Sequence, residues 1–337
     1  MSIGILLINI GTPDKPDVPS VRRYLKEFLI DPRVVDLPFI VRWILLHGII
    51  LPTRPKKTAR AYQAIWQKEG SPLLLHSQAL VAQLQQELGS SYAVALGMRY
   101  GQPSIASALD TLLALNCDEI RILPLFPQYA SAATGSAIEV VMDYFRHKQV
   151  IPKLTFGGDF FDAPFFIQAQ AALAESSLAE FKPDHWLLSY HGLPLQHVIA
   201  SESGEVACDR KHACPTLNKH NRFCYRAQCY ATSRALATRL GLSEADYTVA
   251  FQSRLGRVPW IKPYTDEELI ALRAKGVNHL AVICPSFVAD CLETLEEIGL
   301  RAKEQWLSLG GQSLQLVPCV NNHPIWVEGL AKGIKAI

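Results

Sequence analysis

A histidine at the end of an apolar, strand-like run is the residue best suited to chemistry in this sequence. Residues 185–190 are mostly apolar and lead to His191, which is followed at once by Gly192-Leu193-Pro194. Glycine and proline mark turns, so the imidazole is expected where the strand ends. In open parallel sheets, ligands bind just beyond the carboxyl ends of strands. A neutral imidazole can accept a proton or bind a metal near pH 7. The alternative is a structural histidine whose ring nitrogens only form hydrogen bonds within the turn.

Carboxylates on a predicted helix provide a partner for this histidine. The helix follows the apolar run that ends at Cys284, and it is predicted to begin at Asp290. At about 100° per residue, Asp290, Glu293 and Glu297 share one stripe. A solvated acidic face is the alternative. A base and several carboxylates at two strand ends favour a site that holds a divalent cation or carries protons.

A group of four cysteines lies between the histidine turn and the next long helix. Cys208, Cys214, Cys224 and Cys229 account for half of the eight cysteines. Because no export signal precedes them, they indicate a metal or cluster site rather than disulfides. A cluster, structural Zn²⁺ and free thiols all remain open at this point. The other four cysteines are expected to be buried and to pack as small apolar side chains; they are Cys117, Cys284, Cys291 and Cys319.

Composition excludes several classes of protein. The chain has 337 residues, of which 49% are hydrophobic and 19% charged, with a net charge of +2. So small a net positive charge argues against nucleic-acid binding. The N-terminus lacks the pattern of a signal peptide, which predicts a cytoplasmic protein. Residues 37–52 are apolar but interrupted by Arg42 and His47, and they are too short to span a bilayer. They predict either an exposed lip carrying Phe39, Trp43, Leu46 and Ile50 or a helix docked on the core.

Alternating strand-like and helix-like segments predict an α/β protein with two doubly wound, Rossmann-like lobes, each built on a parallel four-stranded sheet, and a cleft between them. The expected domains are residues 1–150 and 151–322, with a final helix at 323–337 that packs back on the first lobe. The second lobe carries His191, the cysteine insert and the Glu293 helix. Eight strands are predicted, at residues 3–9, 92–97, 119–125, 154–157, 185–190, 247–251, 279–284 and 314–317.

The motifs of the chain, taken in order, resemble those of ferrochelatases, the enzymes that insert Fe²⁺ into a porphyrin to form haem. The similarity covers nearly the whole chain. It rests on residues 9–13, 69–73, 127–136, 189–194, 251–260 and 290–297.

The resemblance implies roles for the matching residues. His191 would accept protons from the pyrrole nitrogens or guide the metal to them, with Glu293 as its carboxylate partner. Glu297, and Asp290 with it, would extend a path for protons or for Fe²⁺. The residues expected near the porphyrin are Ile10, Arg99, Tyr100, Tyr129, Ser131 and Trp260. Ile10 replaces the Tyr or Met of some relatives, so no axial metal ligand is expected there.

The resemblance also implies a cofactor and substrates. Some microbial members hold a [2Fe–2S] cluster on an internal cysteine-rich insert, which favours that cluster on Cys208, Cys214, Cys224 and Cys229, with Zn²⁺ as the alternative. Protoporphyrin IX is the favoured substrate. Coproporphyrin, a cobalt or nickel tetrapyrrole, and a non-enzymatic porphyrin carrier are the alternatives, and the carboxylates facing His191 favour an enzyme. Peripheral contact with the inner face of the membrane is also expected, while the oligomeric state stays open.

Overall fold

The computed structural model describes residues 2–201, 214–256 and 258–336. Over these ranges every predicted strand is present, and alternation with helices confirms the α/β class. The strands are β1 (Ser2–Thr12), β2 (Tyr92–Gly101), β3 (Cys117–Pro124), β4 (Lys153–Phe156), β5 (His185–His191), β6 (Tyr247–Gln252), β7 (His279–Ile283) and β8 (Ser313–Leu316).

Helices connect the strands. Most are α-helices, at Val18–Ile30, Phe39–Leu45, Leu51–Ile65, Pro72–Leu88, Ile105–Ala114, Ser136–Phe145, Pro164–Ser177, Leu195–Ala200, Tyr225–Leu240, Thr265–Ala274, Lys303–Ser308 and Pro324–Ala336. Segments with the wider π-helical hydrogen bonding occur at Leu46–Ile50, Ser131–Gly135 and Leu292–Ala302.

The first sheet has the strand order β2-β1-β3-β4, and its neighbouring strands are parallel. Its central strand β1 is a nearly continuous apolar run in which Ile5 through Ile8 are fully buried. Such runs are typical of parallel strands covered by helices on both faces. Leu109 and Phe145, from two of the flanking helices, complete one of the cores.

The second sheet repeats this arrangement with the order β6-β5-β7-β8, again parallel. Its central strand β5 pairs with β6 in a register that sets His191 beside Gln252. Leu187 packs with Val282 and the fully buried Trp306 in one core of this unit. The strand order therefore brings the last residues of β5 and β6 to one edge.

Two compact units contain these sheets. Unit 1 comprises residues 1–126, 130–158 and 327–337, and unit 2 comprises residues 127–129 and 159–326. Unit 1 therefore extends past the predicted boundary at residue 150, because β4 completes its sheet by pairing with β3. The end of the last helix belongs to unit 1, where the buried Arg121 side chain donates to the Ile334 carbonyl.

Candidate functional site

His191 is the last residue of β5, and several hydrogen bonds fix it there. Its backbone N–H donates to Ser286 Oγ over 2.9 Å, and its carbonyl accepts from the Tyr225 hydroxyl over 2.8 Å. The ring nitrogen Nδ1 lies 2.6 Å from the Gly192 carbonyl oxygen. A carbonyl can only accept, so this contact assigns a proton to Nδ1, and in the neutral imidazole the lone pair then lies on Nε2. The half-buried imidazole is therefore arranged to accept a proton or bind a metal through Nε2.

Gly192 allows the turn after His191 to pack tightly. A Cβ at this position would lie 2.8 Å from the Gln252 carbonyl oxygen and 3.1 Å from the Trp260 ring. Pro194 forms a bridge to Trp260, whose indole N–H donates to the Leu255 carbonyl over 2.8 Å. The Trp260 ring lies 6.5 Å from the imidazole, centroid to centroid. The predicted porphyrin contact Trp260 and the predicted base thus share one corner of unit 2.

The predicted acidic helix begins at Leu292 rather than at Asp290. Cys291 is its N-cap, with its sulfur accepting from the backbone of Thr294 and its own N–H donating to Thr294 Oγ1 over 3.0 Å. The helix is a π-helix. Glu293 and Glu297 are four residues apart, a spacing that places two side chains on the same side of a helix.

Asp290 precedes the helix and does not belong to that acidic stripe, which corrects the prediction. Its carboxylate is buried and accepts hydrogen bonds from Thr294 Oγ1, the Cys319 N–H and Asn321 Nδ2, at 2.8–3.2 Å. Its N–H donates in turn to Asn321 Oδ1. Asp290 therefore ties the start of the helix to the segment that follows β8.

Glu297 lies in an environment that favours proton uptake. Burial raises its pKa above the usual value, and the charge of Glu293 acts in the same direction. The hydrogen bond from Ser253 and the charges of Arg301 and His191 oppose the shift without cancelling it. The charges of His191 and Glu293 therefore both act on Glu297. Among the described residues, however, no three His, Cys, Asp or Glu side chains form a ready-made metal site.

Two residues of the 251–260 motif hold the acidic helix, one through the Glu293 backbone and one through the Glu297 carboxylate. Gln252 Nε2 donates to the Glu293 carbonyl over 2.7 Å. Ser253 donates to Glu297 twice, through its N–H at 2.9 Å and its hydroxyl at 2.6 Å. Ser253 has φ +67°, a left-handed conformation that is uncommon for a residue other than glycine. The sequence signal that could have identified Gln252 and Ser253 is their position at the carboxyl end of β6.

In unit 1, Arg99 and Tyr100 surround a buried aspartate that sequence reasoning missed. Asp31 Oδ2 accepts from Arg99 Nη2 at 2.6 Å, from the Tyr100 hydroxyl at 2.8 Å and from Ser136 Oγ at 2.5 Å. The Arg99 guanidinium also stacks on the Tyr100 ring, 4.4 Å from its centroid. Tyr100 is fully buried, so only Arg99 of this pair offers a surface to a ligand.

The other predicted porphyrin residues are divided between the units. Ile10 in β1 and Ser131 in a π-helical turn belong to unit 1, and both are half-buried. Ser131 Oγ accepts from Arg33, which also pairs with Glu139 at 2.5 Å. Tyr129 clusters with unit 2. Its N–H donates to Gln228 Oε1 over 2.6 Å, and its ring meets Phe223 edge to face.

Three of the four predicted cluster cysteines lie in unit 2, and all three are buried. Cys208 lies outside the described residues. Cys224 caps the helix Tyr225–Leu240 and Cys229 lies within it. Cys214 and Cys224 are close enough to Cys229 for their charges to act on it. The buried Arg226 guanidinium donates to Cys214 Sγ over 2.9 Å. Burial raises the pKa of the Cys229 thiol well above its ordinary value, and the Arg226 charge acts against that shift.

Two solved structures resemble this fold. SirB from Bacillus subtilis with Fe³⁺ aligns with a TM-score of 0.56 and 10% identity, covering 99% of this chain and 95% of that one. The sirohydrochlorin chelatase SirB from Bacillus subtilis subspecies spizizenii in complex with cobalt gives 0.55 and 10%, covering 99% and 94%. At this identity the likeness establishes a shared fold.

Sequence similarity is far stronger. The ferrochelatase of Coxiella burnetii (strain CbuK_Q154) is 52% identical over 333 residues, covering 99% of this chain and 93% of the relative. The ferrochelatase of Legionella pneumophila (strain Paris) is 52% identical over 332 residues, covering 98% of both. The sequence model described as Ferrochelatase matches residues 2–336. This match and these identities confirm the expectation raised by the motifs: the chain belongs to the ferrochelatase family.

Proposed function

We propose that this protein inserts Fe²⁺ into a porphyrin with His191 as the proton acceptor and Glu293 as its carboxylate partner. Family membership supports the lyase reaction. The observation that carries the assignment is the orientation of His191, whose Nδ1–H is bound to the Gly192 carbonyl. Nε2 therefore offers a lone pair on the same edge of unit 2 as Glu293 and Glu297.

Metal insertion into a porphyrin requires a proton acceptor and groups that bind the metal ion. Two N–H protons must leave the porphyrin, the Fe²⁺ must lose bound water, and a planar ring shields its own pyrrole nitrogens. An enzyme that binds the ring bent toward its transition-state shape exposes those nitrogens and lowers the barrier. His191 Nε2 would take a proton, and Glu293 and Glu297 would receive it or carry Fe²⁺ inward. Because burial raises the pKa of Glu297, this carboxyl binds a proton more readily than an exposed one.

Replacing Glu293 by Gln tests the carboxylate role. Glu293→Gln keeps the size of the side chain but cannot take up a proton or carry a charge, so we expect kcat for anaerobic Fe²⁺ insertion to fall about 100-fold or more. Glu296→Gln is the matched control, because Glu296 lies on the same helix and pairs with Arg301 at 2.9 Å. Equal rates in the two variants would contradict the assignment.

Porphyrin recognition would draw on Ile10, Arg99, Ser131, Tyr129 and Trp260. Aliphatic and aromatic walls suit the ring, and Arg99 and Ser131 can bind its propionates. Tyr100 would act indirectly, through the cation–π contact that holds Arg99. We favour protoporphyrin IX as substrate. Insertion rates measured side by side with protoporphyrin IX and coproporphyrin test this choice, and a higher kcat/KM for coproporphyrin would reverse it.

We propose further that Cys208, Cys214, Cys224 and Cys229 hold a [2Fe–2S] cluster. The fit rests on chemistry: three of these thiols are buried, Cys214 accepts from the Arg226 guanidinium, and Cys224 lies at a helix N-terminus. Four thiolates would satisfy such a cluster, and Zn²⁺ is the alternative ligand. The bound cluster could supply one-electron redox chemistry, which metal insertion does not use, so its role would lie in supporting the fold or in sensing iron.

Iron and sulfide analysis, with an absorbance spectrum of anaerobically purified protein, tests the cluster. We expect visible absorption bands and about two irons and two sulfides per chain, and we expect Cys224→Ser to remove them. Cys117→Ser, which alters a buried cysteine of unit 1, should leave them unchanged. Zinc without sulfide in the parental protein would replace the cluster with a structural Zn²⁺ site.

An exposed apolar surface supports peripheral contact with a membrane. The helix Phe39–Leu45 and the turn Leu46–Ile50 expose large apolar side chains, while Leu46 is buried against the helix Leu51–Ile65, contrary to the predicted lip. No helix in the described part of the chain is long and apolar enough to span a bilayer. The exposed apolar residues are Phe39, Ile40, Val41, Trp43, Ile44 and Ile49, and the exposed cations of the next helix are Arg54, Lys56, Lys57 and Arg60.

We propose that this apolar and basic surface lies on the anionic inner face of the membrane, where the porphyrin partitions. Flotation with phosphatidylglycerol vesicles tests the contact. Trp43→Asp should reduce the bound fraction, because it places a charge where the apolar face enters the lipid. Val150→Asp, a change at an exposed apolar residue elsewhere in unit 1, is the matched control. Equal flotation of both variants and the parental protein would contradict the proposal.

A further inference from the structure

Gln252 connects the His191 strand end to the helix that carries the two glutamates. Its backbone carbonyl accepts from the Gly192 N–H over 2.8 Å, and its side-chain Oε1 accepts from Ser189 Oγ over 2.7 Å. Its Nε2 donates to the Glu293 carbonyl over 2.7 Å. The residue is buried, so these bonds are protected from competing water. Gln252 therefore fixes the spacing between β5 and the start of the acidic helix.

Ser253, the next residue, binds both oxygens of one carboxylate. Its N–H donates to Glu297 Oε1 over 2.9 Å and its hydroxyl donates to Oε2 over 2.6 Å. The left-handed backbone, with φ +67°, turns both donors toward the same partner. A conformation of this kind persists only where the surroundings favour it, and such positions concentrate at functional sites.

Among the residues that the structure describes, few other groups restrain the Glu297 carboxylate. Arg301 Nη2 lies 3.8 Å from Oε2, but its guanidinium binds Glu296 at closer range, 2.9 Å. Glu293 repels the Glu297 charge and His191 attracts it. The two donors of Ser253 are thus the short, directed contacts that decide where this carboxylate points.

We propose that Ser253 is a positioning residue for metal insertion, which holds the Glu297 carboxylate in line with Glu293 and His191 through its paired N–H and hydroxyl donors. Gln252 completes this clamp by holding the Glu293 backbone. The inference rests on the proposed function, because it assigns Ser253 an effect only through the path formed by Glu297.

Two substitutions of Ser253 separate positioning from support of the fold. Ser253→Ala removes the hydroxyl donor and keeps the backbone conformation under similar strain. Ser253→Gly also removes the hydroxyl, but glycine adopts positive φ without cost and should preserve or raise the Tm. If the hydroxyl matters through Glu297, both variants lose about tenfold or more in kcat while KM for porphyrin stays near parental. A purely structural role predicts that Ser253→Gly restores kcat.

A double-mutant cycle with Glu297→Gln identifies the route of the effect. Since Ser253 acts through Glu297, Ser253→Ala should lower kcat no further in the Glu297→Gln background, and the two losses should be strongly non-additive. Ser308→Ala, which removes an exposed hydroxyl elsewhere in unit 2, should behave as the parental protein in both backgrounds.

The outcomes distinguish this inference from the proposed function. If Glu297→Gln is impaired but the Ser253 variants keep parental kcat, or if the losses simply add, the clamp is overturned and the proton path stands. If Glu297→Gln itself keeps parental kcat, the path through Glu297 and the clamp are both overturned. Restored kcat in Ser253→Gly also overturns the clamp, because it reduces Ser253 to a backbone role.

Discussion

The chemistry of this protein depends on how single residues constrain one another at the carboxyl ends of β5 and β6. His191 gains its orientation from the neighbouring Gly192 carbonyl, and Glu297 gains its orientation from Ser253. Both constraints come from backbone geometry beside the reactive group. Residue-scale changes in that geometry should therefore affect activity without removing any reactive atom.

Gly192→Ala should disturb the His191 turn directly. The added methyl would lie 2.8 Å from the Gln252 carbonyl oxygen and 3.1 Å from the Trp260 ring, so β5 or Trp260 must shift. We expect a loss of about 1–3 kcal/mol in the free energy of unfolding and a lower kcat for metal insertion. Urea denaturation and anaerobic insertion assays measure the two effects. Gly158→Ala is the control, since nothing lies within 4 Å of its added Cβ; equal stability of the two variants would contradict the packing described for this turn.

Asp31→Asn should destabilise unit 1 in a manner that depends on pH. Burial alone would raise the pKa of Asp31, but hydrogen bonds from Ser136, the Arg33 N–H and Tyr100, together with the Arg99 charge, bring it below the usual value. A lowered folded-state pKa contributes stability above the ordinary aspartate pKa, and this contribution is lost as the pH falls through the folded pKa.

At pH 7 we expect Asp31→Asn to cost about 2–4 kcal/mol, because the half-buried Arg99 loses its charged partner and the Asp31 site is buried. The difference from the parental protein should shrink below about pH 4. Urea titrations across this range measure it, with the exposed Asp36→Asn as control. A cost that stays constant from neutral to acid pH would show that the Asp31 charge is not the stabilising feature.

Sequence patterns predicted His191 and Glu293 as candidates because each lies at or after a recognisable strand end. They did not identify Asp31 or Ser253. Asp31 follows an amphipathic helix in an ordinary Asp-Pro turn, and its hydrogen bonds to Arg99, Tyr100 and Ser136 join segments far apart in the chain. The role of Ser253 depends on a positive φ that no periodicity encodes. Patterns report which face of an element is buried, but not hydrogen bonds made by side chains after a turn.

At the scale of elements, the helix Leu292–Ala302 decides how the carboxylates are presented. The apolar periodicity predicted a helix here, but the pattern could not distinguish an α-helix from the wider π-helix that occurs. The helix begins two residues after the predicted start, because Asp290 binds the segment after β8 and Cys291 forms the N-cap. Glu293 and Glu297, four residues apart, lie on one side of it.

Substitutions of Cys291 test whether its N-cap stabilises this helix. The sulfur accepts from the Thr294 N–H, and burial raises the pKa of the thiol, with the charge of Glu293 and a hydrogen bond to it adding to that shift. Cys291→Ser keeps an acceptor and a donor, whereas Cys291→Ala removes both. We expect Cys291→Ala to lower the free energy of unfolding by about 1 kcal/mol and Cys291→Ser to match or exceed the parental protein. Thermal denaturation measures this, and equal Tm values for Cys291→Ala and the parental protein would argue against the cap.

At the scale of the whole molecule, the sequence was sufficient to predict two parallel sheets. Near-continuous apolar runs such as β1 require helices on both faces, and alternating helices provide them. The boundary between the two units was harder to predict from the sequence. A break in pattern near residue 150 suggested a domain end, but β4 lies beyond it and pairs with β3, so unit 1 continues to residue 158. Such pairing depends on which edge of a sheet is open, and this is a property of the assembled fold.

The rate of Fe²⁺ insertion into porphyrin already bound to His191→Ala tests the central claim most directly. Binding is measured first, by porphyrin fluorescence, so that a loss of affinity is separated from a loss of chemistry. If His191 Nε2 accepts the pyrrole protons, the variant should bind porphyrin near the parental affinity and insert anaerobic Fe²⁺ at least about 100-fold more slowly. Insertion at the parental rate would show that another group removes the protons, and the assignment of His191 would be wrong.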